Sequence, residues 1–363
     1  MANSKIKLGG FLVVGDLLIA HWRSNRNERS PYRVIKQGSN LDPSVNENQF
    51  IDRKDIPSCG HSFFHTIVGE EGIGKTVAVR QAASEIGKGV VYVKIPEDLN
   101  SFGDEFAKAL KWRFETTTVM AAIGRMILGT HSGIVLSPSE KINRALEAFD
   151  RGAKQYKATY GVTPVLILDN VSKLSREDPQ LLKILQDYAK DRAAQSKHSV
   201  VFVSNKGIIP HMTMTHSSKT MNFEDFDETE ALQYLKKLDI EEKYAKQLYG
   251  LFGGRIGHLR MYGDDLKKGM KFEDIRKVAF SAIEGNFCQA KMLKGGENYK
   301  VGRCIIKKLL KDKKISLSYC NRLLGNEAIM DELLRANVIS FDPADRTISF
   351  QSRLAEVYAK EKI

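Results

Sequence analysis

The chain has 363 residues, of which 42% are hydrophobic and 28% are charged, and this composition excludes a disordered or fibrous protein. Its length suits two or three domains with a sizeable buried core. Because 56 lysine and arginine residues outnumber 44 aspartate and glutamate residues, the net charge is +12. This charge favours an acidic partner such as a nucleotide, a nucleic acid or an anionic membrane surface.

The first 56 residues contain one apolar run, Phe11–Trp22, which is too short to cross a bilayer and includes Asp16. We predict no transmembrane helix. Basic residues flank the run, so it fits either a targeting segment or an amphipathic docking helix. We expect a cytoplasmic or nuclear protein, with secretion as an effector and organelle import left open. Residues 24–57 are rich in Arg, Asn, Ser, Pro and Asp and predict an extended arm or linker.

Four cysteines are present, and none has the spacing of a zinc site or of a C-x-x-C redox pair. They are Cys59, Cys288, Cys304 and Cys320. We therefore expect reduced, structural thiols and a reducing compartment.

A strand, a glycine-rich loop and a helix follow one another from residue 62. The apolar "SFFHTIV" predicts a buried strand, and "GEEGIGKT" (69–76) matches the phosphate-binding pattern G-x-x-x-x-G-K-[ST]. Gly72 and Gly74 let the loop turn its N–H groups inward, towards the anion that the positive end of the helix also faces. We expect Lys75 to bridge the β- and γ-phosphates of a triphosphate and Thr76 to hold Mg²⁺.

Further strands alternate with helices up to residue 226. Strands are predicted at "GVVYVKIP" (89–96), "TPVLILDN" (163–170), "SVVFVSN" (199–205) and "TMNFEDF" (220–226). Helices are predicted within residues 99–160 and from Asp178–Pro179 onwards. This alternation predicts the α/β class with a parallel sheet, and we assign residues 57–226 to a P-loop nucleotide-binding core.

Polar residues end two of the predicted strands. Asp169 lies at the carboxyl end of a central strand, where parallel sheets bind ligands, and fits the carboxylate on the Mg²⁺ side of the site. Its alternative role is to cap a turn. Asn205 ends the next strand and either reaches the γ-phosphate or the attacking water, or serves as an ordinary turn residue.

The strand signals cease after residue 226. Asp227 and Glu230 have the spacing of a capping box, and helices fill a predicted lid at 227–295. Within it, "GGRIGHLR" supplies Arg255 and Arg260, each of which either reaches the triphosphate or lies on a solvated helix. Residues 296–363 have the order helix, short helix, helix, hairpin and helix, which is typical of a winged helix.

The order "GEEGIGKT", "VLILDN", "VVFVSN", "GGR" and a C-terminal winged helix resembles the AAA+/STAND ATPases. The resemblance is greatest to their archaeal-type and origin-recognition-like branch, including the modules of Crinkler-like proteins, and covers residues 57–363. It implies a P-loop NTPase sheet with strand order 5-1-4-3-2, a helical lid and a winged helix, with ATP and Mg²⁺ as ligands. The residues implied to contact the nucleotide are Gly69, Glu70, Glu71, Gly72, Ile73, Gly74, Lys75, Thr76, Val77, Arg255 and Arg260.

The chain departs from this family directly after Asp169. The family usually has Glu or Asp there to polarise the attacking water, whereas this chain has Asn170. An amide accepts no proton at neutral pH, although it can orient water, so we expect slow hydrolysis or a carboxylate supplied from elsewhere. Candidate substitutes are Glu70, Glu71, Glu97 and Asp98, and the arginines available as a finger are Arg176 and Arg192.

Two readings of the function stay open. In the first, Mg²⁺-dependent ATP binding and slow hydrolysis, assigned to Lys75, Asp169, Asn170 and Asn205, control a conformational switch. In the second, the winged helix binds nucleic acid through basic segments such as Lys307–Lys314, and ATP is a structural or regulatory ligand. GTP is disfavoured because no N-K-x-D segment is present. A homo-oligomer or a larger protein assembly is open in either case.

One feature of the predicted winged helix bears on the second reading. The helix that usually enters the major groove is "NEAIMDELLRANV". Its acidic residues Glu327, Asp331 and Glu332 would repel phosphates. The sequence therefore argues against direct reading of a duplex by this face. The resemblance to STAND proteins implies that the winged helix packs against the nucleotide domain as a brake, which suits this acidic helix.

Overall fold

The computed structural model describes residues 25–38, 64–114, 136–205, 218–324, 327–342 and 345–363. Within these residues no helix is both long enough and apolar enough to span a bilayer. The apolar run Phe11–Trp22, Cys59 and the part of the predicted helical segment at 115–135 lie outside the described residues.

Five strands form the central sheet. They are β1 Phe64–Gly69, β2 Val90–Lys94, β3 Val165–Asp169, β4 Ser199–Asn205 and β5 Ser218–Phe223. Their order is β2-β3-β4-β1-β5, which confirms the predicted order 5-1-4-3-2 read from the other edge. β3 pairs in parallel with both β2 and β4. Every residue of β1 is buried, as expected for a strand covered on both faces of the sheet.

Helices surround the strands in the chain order that the alternation predicts. Up to residue 205 they are α1 Ser30–Gln37, α2 Lys75–Ile86, α3 Phe102–Ala109, α4 Pro138–Tyr160, α5 Ser172–Glu177 and α6 Pro179–Ala194. Beyond β5 they are α7 Glu228–Lys237, α8 Glu242–Phe252, α9 Ile256–Lys267, α10 Phe272–Gln289, α11 Tyr299–Asp312, α12 Leu317–Leu324, α13 Glu327–Arg335 and α14 Arg353–Lys362. Three short strands join the last group: β6 Lys314–Ser316, β7 Ile339–Asp342 and β8 Thr347–Phe350.

The expectation of an extended arm is wrong for residues 30–37. These residues form α1, which has a proline in its first turn and buries Val34 and Ile35. A helix of this length is marginal by itself in water, so its stability comes from packing. It lies on α4 at Gly152, whose missing side chain leaves room for the backbone of Tyr32. The sequence of the segment gives no sign of this partner, which lies far along the chain.

Two compact units make up the chain. The first contains the described residues up to 38, residues 64–65 and the described residues from 79 to 203, and the second contains residues 66–78 and the described residues from 204 to 363. The predicted domain boundaries at residues 56, 226 and 295 stay predictions.

The C-terminal part of the second unit is built on one hydrophobic core. Its buried residues run from Phe226 to Ala359 and come from every helix after β5. α7 begins with the predicted capping box, in which Glu230 N donates to Asp227 Oδ1 at 2.8 Å and Asp227 N donates to Glu230 Oε2 at 3.0 Å. β6, β8 and β7 form an antiparallel sheet in that order. The predicted lid and C-terminal segments therefore share a core.

The free cysteines among the described residues differ in their surroundings. Cys320 is buried, and burial raises the pKa of its thiol to about 11. Cys288 and Cys304 are exposed. Only Cys320 therefore fits the expected structural role, because an exposed thiol on a helix surface packs against little.

Candidate functional site

The glycine-rich loop joins β1 to α2 with the backbone that its glycines permit. Gly72 and Gly74 have φ of 80° and 88°, a conformation that other residues rarely adopt. α2 begins at Lys75, so the first N–H groups of the helix, which have no partner within the helix, lie next to the loop. The loop and the helix start therefore present N–H groups and a positive dipole to one place.

Lys75 is buried inside the loop. Its side chain is 7% exposed, and Nζ donates to the carbonyl oxygens of Gly69 at 2.9 Å and of Glu70 at 2.7 Å. An ammonium group removed from water needs such acceptors, or an anion in their place. A phosphate oxygen would satisfy the same charge more strongly than a carbonyl, so this lysine fits a triphosphate ligand.

Helix α9 begins against the loop. Gly257 N donates to Gly72 O at 2.8 Å, and Arg255 Nη1 donates to Glu71 O at 3.2 Å. A Cβ atom added at Gly74 would lie 3.3 Å from Ile256 Cδ1. The predicted nucleotide-contacting residues of the loop are thus in direct contact with the helix that carries Arg255.

Arg255 is held by an acidic partner that the sequence did not reveal. It is 3% exposed, and Nε and Nη2 donate to the carboxylate of Asp225 at 2.9 and 3.0 Å. Nη2 also donates to Gln351 O at 2.8 Å. Arg260, further along α9, is exposed. Only Arg255 of the two predicted arginines is therefore brought to the loop, and Asp225 neutralises it there.

Glu70 is bound by the C-terminal sheet region. Ser340 Oγ in β7 donates to Glu70 Oε1, and Gln351 Nε2, just after β8, lies 3.5 Å from Glu70 Oε2. These contacts engage both carboxylate oxygens. Glu70 is therefore a link between the loop and the C-terminal segment in this structure, and a water molecule would have to displace that link before Glu70 could act as a base.

Asp169 ends β3 in the first unit and is 2% exposed. Tyr92 Oη in β2 donates to Asp169 Oδ2 at 2.7 Å, and Asn170 N donates to Asp169 Oδ1 at 2.7 Å. Asn170 itself has φ of 66°, a left-handed conformation that asparagine tolerates better than most residues, and its Nδ2 lies 3.5 Å from Ile95 O. Its side chain is thus directed at the end of β2.

The other candidate carboxylates near the strand ends already have partners. Lys173 Nζ donates to Glu97 Oε2 at 2.9 Å, and this hydrogen bond lowers the pKa of Glu97. Asp98 accepts from Asn100 N at 3.0 Å and starts a helical turn. Because both already accept hydrogen bonds, neither resembles a base that is free to take a proton from water.

The remaining predicted residues are placed as follows. Asn205 ends β4 and is half-buried, and Thr76 and Val77 in the first turn of α2 are half-buried as well. Ile73 is buried within the loop. Arg192 donates to Asp150 at 2.9 Å in an ion pair, so this arginine is engaged inside the first unit.

Thr76 and Asp169, one in each compact unit, carry the hydroxyl and carboxylate oxygens that Mg²⁺ accepts as ligands. In nucleotide sites Mg²⁺ takes few ligands from the protein and keeps phosphate oxygens and water, and the assignment of these two residues to the metal stays a prediction. Among the described residues no group of three or more His, Cys, Asp or Glu side chains could hold a metal ion.

Sequence reasoning missed Tyr92, Asp225, Ser340 and Gln351. The sequence does contain a sign that Tyr92 has a specific role, because it is the one hydroxyl-bearing side chain in the strand "VVYVK". Asp225 lies within a short acidic stretch that gives no sign of an arginine partner. Ser340 and Gln351 lie in an unremarkable hairpin, and their contact with the loop depends on tertiary packing.

Known proteins resemble this chain in sequence and in fold. A family described as an ATPase domain predominantly from Archaea matches residues 54–261. No curated protein sequence gives a significant match. Among solved structures, the Walker-type ATPase of Pyrococcus abyssi is 13% identical, with a TM-score of 0.52, and the similarity covers 82% of this chain and 91% of that one.

A second solved structure, Cdc6p from Pyrobaculum aerophilum, is 14% identical with a TM-score of 0.40, over 83% of this chain and 88% of that one. At 13% identity, the similarity to the Pyrococcus abyssi ATPase concerns the fold alone. The family match spans more than half of the 363 residues and includes the whole of the glycine-rich loop. The chain therefore belongs to this family of P-loop ATPase domains.

Proposed function

We propose that the protein binds ATP with Mg²⁺, hydrolyses it slowly, and uses the nucleotide state to control the arrangement of its C-terminal region. The observation that carries this proposal is the hydrogen bonding of the loop backbone to α9. Glu71 O and Gly72 O accept from Arg255 and Gly257, so a phosphate that changes the loop also acts on the helix.

The phosphates would be bound by Lys75 and by the N-terminal N–H groups of α2. Lys75 would exchange the carbonyl oxygens of Gly69 and Glu70 for phosphate oxygens. Phosphate oxygens carry charge and are therefore stronger acceptors for this buried ammonium group. Thr76 and Asp169 would hold Mg²⁺, which when bound neutralises charge on the phosphates. Asn205 would orient the γ-phosphate or the attacking water.

Slow hydrolysis follows from Asn170. Its amide orients water and accepts no proton at neutral pH, so the step lacks a general base at the usual position. The candidate substitutes Glu70 and Glu97 have donors of their own. A nucleotide that is bound and hydrolysed slowly suits a switch, because the bound state then persists.

The C-terminal region would change its contacts with the loop when the nucleotide state changes. We interpret α11, α12, α13 and the sheet β6-β8-β7 as a winged helix, and the region as far as α10 as the lid. Ser340 and Gln351 hold Glu70 of the loop, while Gln351 O and Asp225 hold Arg255. Phosphate binding competes for Arg255 and reshapes the loop around Glu70, so it would loosen this contact.

The test measures binding of a fluorescent ATP analogue and ATP turnover with Mg²⁺ for the wild type and three variants. Lys75→Ala should lose binding and turnover. Asn170→Glu and Asn170→Asp should turn over faster if the missing carboxylate limits the rate, and aspartate is included because it tolerates the left-handed backbone better. Tight binding with no turnover in any variant would leave a nucleotide-held switch, and no binding in the wild type would contradict the proposal.

One observation favours the second candidate, a nucleic-acid-binding module. Lys300, Arg303, Lys307 and Lys311 are exposed along one side of α11. Such a stripe would follow a phosphate backbone. Binding of labelled DNA or RNA should then weaken steeply with salt and be unaffected by ATP, and it should be lost on reversal of these four charges.

A further inference from the structure

Tyr92 occupies a distinctive place in the sheet. In the parallel pair of β2 and β3, Tyr92 lies opposite Ile167, and Asp169 lies opposite Lys94, two residues further along. The phenol therefore leans towards the carboxyl ends of the strands to reach Asp169, and those ends are where open α/β sheets bind ligands. Its neighbours Val91 and Val93 are buried and apolar.

Both oxygens of the Asp169 carboxylate receive a hydrogen bond. Tyr92 Oη donates to Oδ2 and Asn170 N donates to Oδ1, each at 2.7 Å. Two donors at different oxygens fix both side-chain torsions of an aspartate. Each oxygen keeps a further lone pair, so the carboxylate can still accept from a metal-bound water or bind the metal itself.

Tyr92 is a stable donor in this pair. Its phenol O–H supplies the hydrogen of this bond, and the Asp169 oxygen accepts it. A hydrogen bond to an ionised acceptor is stronger than one between neutral groups. The ring is half-buried, and phenylalanine would keep its packing while removing only the hydroxyl.

We propose that Tyr92 is a positioning residue for Mg²⁺-nucleotide binding, because it holds the carboxylate of Asp169 in the orientation that the metal requires. This inference rests on the proposed function. Tyr92 touches neither nucleotide nor metal in this role and acts through Asp169. Without the phenol, Asp169 must be ordered when the metal binds, and that ordering weakens only the metal-dependent part of nucleotide affinity.

The test measures binding of a fluorescent ATP analogue over a range of Mg²⁺ concentrations and also in EDTA. Tyr92→Phe should raise the Mg²⁺ concentration for half-maximal binding by about threefold to tenfold, as expected for one hydrogen bond, and leave binding in EDTA unchanged. Asp169→Asn should raise it at least as much. The Mg²⁺-dependence separates positioning from a purely structural role, which would weaken binding with and without metal.

Tyr188→Phe is the matched control. Tyr188 Oη also donates to a carboxylate, that of Asp150, at 2.6 Å and within the same unit. Loss of this hydroxyl therefore removes a similar hydrogen bond that does not involve the carboxyl ends of the strands. This variant should keep the wild-type Mg²⁺-dependence. Thermal unfolding of all variants without nucleotide shows that each is folded.

Each outcome bears on a different claim. A Tyr92→Phe protein with the wild-type Mg²⁺-dependence, or with equal losses in Mg²⁺ and in EDTA, would overturn the positioning role while Asp169→Asn still supports the metal site. If Asp169→Asn also leaves the Mg²⁺-dependence unchanged, the assignment of Asp169 to the metal fails. If the wild type binds no nucleotide, the proposed function fails and the role of Tyr92 fails with it.

Discussion

A single buried histidine shows how side-chain environment determines charge in the first unit. His198 is 1% exposed, directly before β4, and its ring lies edge-on to Phe149. Tyr188 Oη has one hydrogen and donates it to Asp150. His198 Nε2 lies 3.1 Å from the same oxygen, so we infer that Nε2 carries a hydrogen and donates it to Tyr188. Nδ1 is then the unprotonated nitrogen, which agrees with its having no hydrogen bond.

His198 should make the fold sensitive to acid. Burial lowers its pKa to about 4, with Arg192 and Lys197 adding to the effect and Asp150 opposing it. Since the unfolded chain takes up this proton near pH 6.5 and the folded chain near pH 4, stability is lost as the pH falls through that window. We expect the free energy of unfolding to fall by up to about 3 kcal/mol from this residue.

Urea unfolding at several pH values between 7 and 4 checks this prediction. His198→Gln keeps a donor for Tyr188 and has no charge to gain, so its stability should fall less across the window than that of the wild type. The remaining histidines are common to both proteins and cancel in the difference. Parallel curves for the two proteins would show that His198 has the same pKa in the folded and the unfolded chain, which would contradict the prediction.

At the scale of elements, the packing of α1 on α4 depends on a glycine. A Cβ atom at Gly152 would lie 2.8 Å from Tyr32 N and 2.9 Å from Pro31 C, both backbone atoms. Backbone cannot move aside as a flexible side chain can, so the two helices would have to separate. An interior glycine lowers the stability of an isolated helix, and here the close approach of α1 compensates for that cost.

Gly152→Ala should destabilise the protein by about 1–3 kcal/mol, because the added methyl group clashes with the backbone of α1. Urea unfolding measures the effect. Gly285→Ala in α10 is the matched control: no atom lies within 4 Å of its added Cβ, so we expect a gain of about 0.5–1 kcal/mol from helix propensity. A stabilised Gly152→Ala protein would show that α1 does not pack this closely.

At the scale of the molecule, one arginine joins distant parts of the second unit. Arg255 bonds to the glycine-rich loop at Glu71, to Asp225 after β5, and to Gln351 after β8. Its four hydrogen bonds satisfy most of the donors of a buried guanidinium. The removal of one member of a buried ion pair leaves the other uncompensated, so the contact has large consequences for stability.

Arg255→Ala should lower the free energy of unfolding by about 3 kcal/mol, near the lower limit for a broken buried ion pair because Asp225 is 34% exposed. Arg260→Ala on the same helix is the control, since that side chain is exposed and should change stability by less than about 0.5 kcal/mol. Thermal or urea unfolding without nucleotide measures both. Equal effects would mean that Arg255 contributes no more than a surface residue.

Local sequence determined much of this protein. The five strands, the phosphate-binding loop and the capping box at Asp227 each depend on residues within a few positions of one another, so their patterns are complete in a short window. The strand order came from the resemblance that these motifs carry. Lys75 in the loop and Asp169 at a strand end were identified from such motifs.

Tertiary structure alone decided which residues support these motifs. Tyr92 is 77 residues from Asp169, Arg255 is 184 residues from Glu71, and Ser340 is 270 residues from Glu70. No local pattern links such partners, because their hydrogen bonds form only once the elements that carry them have packed. The same reason explains the helix at Ser30–Gln37, whose polar sequence predicts an arm and whose stability comes from α4.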